Sequence, residues 1–153
     1  MAIAYFSTWT TYGTWLSGDE RGWFQSGRGW REPDQRRAFS AALRMTADAV
    51  ILTDVQRRLV DAVVAEHSAF RGWELHAVNC RTNHVHVVVS AGDCPIEVPR
   101  EQFKAWGTRR LKQLAFGYAG DRRVEWWTER GWDVYIDDLE DLAAVVQYVL
   151  EGQ

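Results

Sequence analysis

The chain of 153 residues has only two cysteines, three prolines and four histidines. Cys80 and Cys94 are too few and too far apart for a ribbon-type zinc site or a redox pair, and reduced thiols fit better than a lone disulfide. No stretch approaches the roughly 20 apolar residues of a membrane-spanning helix. The opening Met1-Ala2-Ile3-Ala4-Tyr5 lacks the basic region and long apolar run of a secretory signal. There is no internal repeat and no low-complexity segment. A cytoplasmic protein with no membrane partner is expected, and the length suits a single domain, 1–153, able to bury a core of its own.

Net charge is only −3, which by itself argues mildly against nucleic acid. The distribution of charge argues the other way. Residues 100–123 carry five more basic than acidic groups, and residues 124–153 carry seven more acidic than basic ones. A basic block beside an acidic tail is the asymmetry of a nucleic-acid binder that is neutral overall, although a solvated basic helix face gives the same pattern. Nine tryptophans are many for this length. They serve either as core and surface anchors or as stacking platforms for bases.

The most informative stretch is Asn83-His84-Val85-His86-Val87-Val88-Val89. β-Branched residues dominate it and Gly and Pro are absent, which predicts a strand. Side chains alternate along a strand, so His84 and His86 share one face while Val85 and Val87 take the other. Two residues of strand separate the imidazoles by roughly 6.5–7 Å at the backbone, close enough for both to lean onto one ion. Two ordinary histidines on a half-exposed strand would look the same. The ligand reading is favoured because half of the chain's histidines stand here, and because polar rings on so apolar a strand need partners.

Elsewhere, Ile3 to Trp9 reads as a first strand. Residues of about 17–50 read as a long loop or insertion, with Asp34 to about Met45 as a short helix. Thr53 or Asp54 caps a helix to about Phe70, with Leu59, Val63 and Phe70 as its stripe and Val60 and Ala62 beside them, and Gly72 ends it. Trp73–Cys80 reads as a strand joined by Arg81-Thr82 to the histidine strand as a hairpin. A helix from Pro99 or Arg100 to about Phe116 gathers Phe103, Trp106, Leu111 and Leu114 on one side. Strand-like sequence recurs at 125–127 and 132–136. A last helix opens with Asp137 as N-cap and Glu140 as its capping-box partner. Leu142, Val146 and Val149, with Ala143 and Leu139, form its apolar stripe, and Tyr148 stands at the edge. This order predicts an α+β, ferredoxin-like βαββαβ antiparallel sheet with helices on one face and an added C-terminal helix.

With the Asn83-His84-Val85-His86 strand, a basic helix and a terminal-helix tyrosine in that order, the chain resembles the HUH-class single-tyrosine, single-strand DNA transposases. REP-associated tyrosine transposases are close relatives of these. Trp9 to Leu16 and Trp23 also resemble the opening of some chromosomal members. The resemblance runs from Ile3 to Gln153, apart from a poorly matching loop at about 24–50. It implies a homodimer that recognises a DNA hairpin and cuts the single strand beside it. It assigns His84 and His86 to a divalent ion, Mg²⁺ or Mn²⁺, and Tyr148 to the nucleophile. The family's further polar ligand stands about one turn after the tyrosine. Here Gly152 falls at that spacing, so Gln153, or Glu151 on the tyrosine's side, takes the role. Lys104, Arg109, Arg110 and Lys112 would hold DNA phosphates.

The chemistry so implied is attack by the Tyr148 phenol, after loss of its proton, on the scissile phosphorus, giving a 5′-phosphotyrosine and a free 3′-OH. Two rivals stay open. One is a catalytically retired DNA-hairpin-binding protein derived from a transposase. The other is a small metal-dependent hydrolase using water, for which a Tyr148→Phe variant would stay active.

Overall fold

The computed structural model describes residues 2–14, 19–25, 28–45, 49–115 and 125–151. The alternating aromatic and β-branched residues near the N-terminus form β1 (Ala4–Thr10), at the centre of a four-stranded sheet. The hairpin strands are β4 (Glu74–Cys80) and β5 (His84–Ser90), and the fourth strand is β6 (Trp132–Ile136). The spatial order is β4-β5-β1-β6, and each neighbouring pair is antiparallel. Helices α2 (Asp54–Arg71) and α3 (Glu97–Ala115) connect β1 to β4 and β5 to β6. This is the expected ferredoxin-like βαββαβ arrangement.

The two faces of the sheet are covered differently. On one, Trp9, Val85, Val87 and Val89 pack with Val60 and Val64 of α2 and Phe103 and Leu111 of α3. On the other, Ala4, Ala77, Val88 and Ile136 pack with Leu142, Val145, Val146 and Val149 of α4 (Leu139–Glu151). A β-bulge between Leu75 and Ala77 shifts the alternation of β4, so that Leu75 faces the first core and Ala77 the second.

Local chemistry explains most boundaries. Thr53 caps α2 in a complete capping box with Gln56, and Gly72 closes the helix at φ +72°. Helix α3 begins at Glu97, two or three residues earlier than expected, because Pro99 in a first turn loses no intrahelical bond. Gly107 lies against an indole: a Cβ there would stand 3.3 Å from Trp127 Cζ2. The N-cap of α4 is Asp138, whose carboxylate accepts from the Asp141 N–H, so the expected Asp137–Glu140 pair is displaced by one residue.

Three stripes also need correction. Phe70 is 82% exposed and Ala62 is exposed, while Val64, His67 and Ser68 turn inward. On α3, Trp106 and Leu114 remain largely outside. On α4, Val145 packs inward where Leu139 and Ala143 were expected. The segment Glu125–Trp127 makes only an isolated bridge, Trp127 to Thr11, with Trp126 and Trp127 buried.

Within the expected long loop, β2 (Trp23–Gln25) and β3 (Gly29–Arg31) form a small separate hairpin, followed by α1 (Gln35–Leu43) capped by Asp34. Trp23 anchors this insert. It is only 4% exposed, its Nε1–H donates to the Glu32 carbonyl, and the Arg37 guanidinium lies over its ring. Among the described residues no helix is long and apolar enough to cross a membrane.

Candidate active site

Strand alternation puts His84 and His86 on the face that α4 covers, with ring centroids 4.7 Å apart. Antiparallel register sets Thr8 opposite His86 and Thr10 opposite His84 on the adjoining β1. The Thr8 hydroxyl meets His86 Nδ1 at 2.7 Å, and His84 Nδ1–H donates to Asn83 Oδ1 at 2.8 Å. Both rings are thus oriented through Nδ1, and for His84, whose Nδ1 carries the proton, Nε2 is left as the lone-pair atom. Phe6 stacks on His86 at 5.4 Å. Burial above all, then the neighbouring His84 and Arg81, pushes His86 down to about 4. It is therefore a neutral lone-pair donor at neutral pH.

Helix α4 brings the tyrosine to this pair. Its inner stripe fixes its rotation on the sheet, and Asn79 Nδ2–H donates to the Val149 carbonyl at 2.8 Å. Asn79 stands opposite His86 in the β4–β5 register. One residue before Val149, the Tyr148 ring lies 5.8 Å from His86 and 6.3 Å from Phe6, and the residue is 49% exposed. Tyr148, His84 and His86 therefore meet on one face of one chain, with the tyrosine still open to an incoming group.

The two imidazoles, oriented through Nδ1 and with His86 held neutral, suit a divalent ion as two of its ligands. Among the described residues no group of three His, Cys, Asp or Glu side chains gathers to hold an ion. Glu151 instead accepts weakly from Gln147 Nε2 at 3.4 Å on its own helix. Gln153 lies outside the described residues.

The expected phosphate-binding residues are placed elsewhere. Helix α3 covers the opposite face of the sheet from the histidines. Lys104 is 8% exposed, and its ammonium donates to the Thr128 and Glu129 carbonyls, so it holds the chain before β6 instead of reaching DNA. Sequence charge misled here because a lysine's long stem lets it be buried once backbone acceptors meet its head. Arg110 pairs with Glu66 at 2.8 Å, Arg109 lies over Trp106 at 4.6 Å, and Lys112 is exposed.

Sequence reasoning missed what surrounds the histidines. A cavity of about 540 Å³ opens beside them, floored by Thr8, Thr10 and Asn83. Its walls include Arg21 and Trp30 of the insert and Trp132 of β6. Alternation along β1 could have grouped Phe6, Thr8 and Thr10 on one face. It could not have said that this was the histidine face, since that depends on pairing register.

No protein-family model and no curated protein sequence matches the chain. Among solved structures, it is similar to a REP-associated tyrosine transposase bound to a REP hairpin, at 13% identity and a TM-score of 0.57. That match covers 97% of this chain and 66% of the other, so the chain spans about two thirds of that protein's length. A Deinococcus radiodurans R1 protein assigned to the transposases matches at 14% identity with a TM-score of 0.49, over 100% of this chain and 92% of that one. At such identities the first likeness establishes a shared fold.

Proposed function

We propose that the protein cuts and rejoins single-stranded DNA beside a hairpin, with Tyr148 as nucleophile, and that a second copy of the chain is its partner. The observation that carries the reading is the position of the Tyr148 ring, 5.8 Å from His86 and on the same sheet face as His84. A half-exposed tyrosine beside His86, on the face that also holds His84, is a poor packing solution but a workable nucleophile site.

In this reading Tyr148 Oη attacks the scissile phosphorus and loses its proton. The P–O bond to the 3′-oxygen breaks, and that oxygen takes up a proton. The products are a 5′-phosphotyrosine and a free 3′-OH. The ester is conserved, so the 3′-OH of a second strand can reverse the step without ATP. His84 and His86 would hold a divalent ion, Mg²⁺ or Mn²⁺, which when bound supplies Lewis-acid stabilisation of phosphate charge. Asn83 keeps the His84 ring in the required tautomer, and Thr8 holds the His86 ring in its orientation. Neutral His86 cannot donate a proton at pH 7, so the proton for the departing 3′-oxygen comes from another source.

A second reading, a hairpin binder that no longer cuts, is favoured by the pairing of Glu151 with Gln147. Hairpin-flanked single-stranded DNA incubated with Mn²⁺ separates the two. The first reading expects cleavage that is lost in Tyr148→Phe, in His86→Ala and with EDTA. Hairpin binding without cleavage by the wild-type chain would favour the second.

A further inference from the structure

Among the described residues, the insert between β1 and α1 has two indoles with different positions. Trp23 is the buried anchor, whereas Trp30, seven residues on, is 52% exposed and lines the cavity beside the histidines. Trp30 rests on the backbone of Gly22, where a Cβ would come within 2.5 Å of Trp30 Cζ2 and where φ is +87°. A side chain at residue 22 would therefore push the ring from its seat. Next to it the Arg21 guanidinium is fixed by Asp19 at 2.7 Å and by the Thr14 carbonyl. Across the sheet, Trp132 stands opposite Thr8, which stands opposite His86. That row puts Trp132 two strand spacings, roughly 10 Å, from His86.

We propose that Arg21, Trp30 and Trp132 build a slot for one nucleotide of the single strand, its base stacked on an indole and its phosphate directed to His84 and His86. This rests on the single-strand DNA reading above and adds which part of the substrate the insert recognises. The cavity of about 540 Å³ lies within the roughly 300–1,000 Å³ of sites that enclose a small molecule. Its lining joins flat aromatic surface to hydroxyls, an amide, a guanidinium and two imidazoles, which matches a base joined to a sugar phosphate. The charge on Arg21 is largely met by Asp19, whose carboxyl its hydrogen bond holds below the ordinary range. The slot therefore selects by stacking and shape more than by attraction for any polyanion. Rigid indoles hold a base at little entropic cost. The insert thus decides which nucleotide stands beside the cut.

The test uses the full chain in EDTA, so that only binding is read. Single-stranded oligonucleotides are selected from a random pool carrying a fixed hairpin, then each flanking nucleotide is replaced in turn by an abasic unit. One position should weaken wild-type binding by about 5- to 150-fold when its base is removed. The Trp30→Ala variant should lose a similar factor on intact DNA and be indifferent to base removal at that position only, whereas Trp30→Phe should recover part of both. Wild-type affinity with an unchanged abasic profile in Trp30→Ala would overturn the slot and leave the single-strand reading standing. A wild-type chain that binds no member of the pool would overturn both. A melting temperature unchanged by Trp30→Ala, expected for a half-exposed ring, confirms that the comparison is between folded proteins.

Discussion

Acid should destabilise this protein through His86, and the size of the effect follows from where the ring sits. The residue is 8% exposed, stacked on Phe6, bonded to Thr8 and 4.7 Å from the His84 ring. These surroundings hold it at about 4, against an ordinary 6.5. Between those values the unfolded chain binds more protons than the folded one. Stability conferred by the neutral ring is therefore complete above about 6.5, falls as pH drops, and is lost near and below 4. At about 1.4 kcal/mol per pH unit the loss is on the order of 3 kcal/mol. That is a large part of the roughly 5–15 kcal/mol that holds most domains together. The assay is urea unfolding followed by tryptophan fluorescence from pH 7.5 to 4, with EDTA present, for the wild type and His86→Leu. Asp61 and Asp133, whose carboxyls burial raises, act in the opposite sense but are common to both proteins. The difference between the two curves thus isolates His86: the variant should lose about 3 kcal/mol less on acidification. Parallel curves would mean that the His86 ring is not desolvated in the fold, because such a ring has nothing to lose on protonation.

Further outcomes follow from contacts around the site. Gly131→Ala should destabilise the fold by about 1–3 kcal/mol in chemical denaturation, since its Cβ would meet the Thr8 carbonyl oxygen at 2.5 Å and Arg100 Cδ at 2.7 Å. Asn79→Ala should cost about 1 kcal/mol and speed amide hydrogen exchange in α4 selectively, because it removes the bond to the Val149 carbonyl. Lys104→Met should lower stability by about 1–3 kcal/mol through the carbonyls it leaves without a donor. The same variant should leave the salt dependence of DNA binding unchanged, whereas loss of a true phosphate contact would reduce that slope by about one.

The ferredoxin-like core was legible because its signals are local. β-Branched runs, a helix cap at Thr53 or Asp54, Gly72 and the valine alternation each specify one element, and their order leaves few topologies. The pair His84 and His86 was legible for the same reason, since period-two alternation follows from covalent geometry. What was not legible depends on contacts between distant segments. Phe70 sits at a helical spacing that suits a core, but α2 rotates Val64 and His67 inward in its place. Lys104 carries a charge that composition assigns to the surface, yet the carbonyls near residue 128 bury it. Thr8, Asn79 and Trp132 become neighbours of His86 only through strand register. Trp30 reaches the site through an insert whose placement no periodicity encodes.

The proposed reaction passes through a covalent bond between Tyr148 and DNA. The most direct measurement is mass spectrometry of protease digests after the wild-type chain has reacted with hairpin-flanked single-stranded DNA and Mn²⁺ in water enriched in ¹⁸O. A nucleotide-linked peptide is expected, with its 5′-phosphate esterified to Tyr148 and no ¹⁸O in the adduct before hydrolysis. An adduct on another residue would contradict it. So would cleaved DNA that carries ¹⁸O in its terminal phosphate and leaves no adduct, because water would then be the nucleophile.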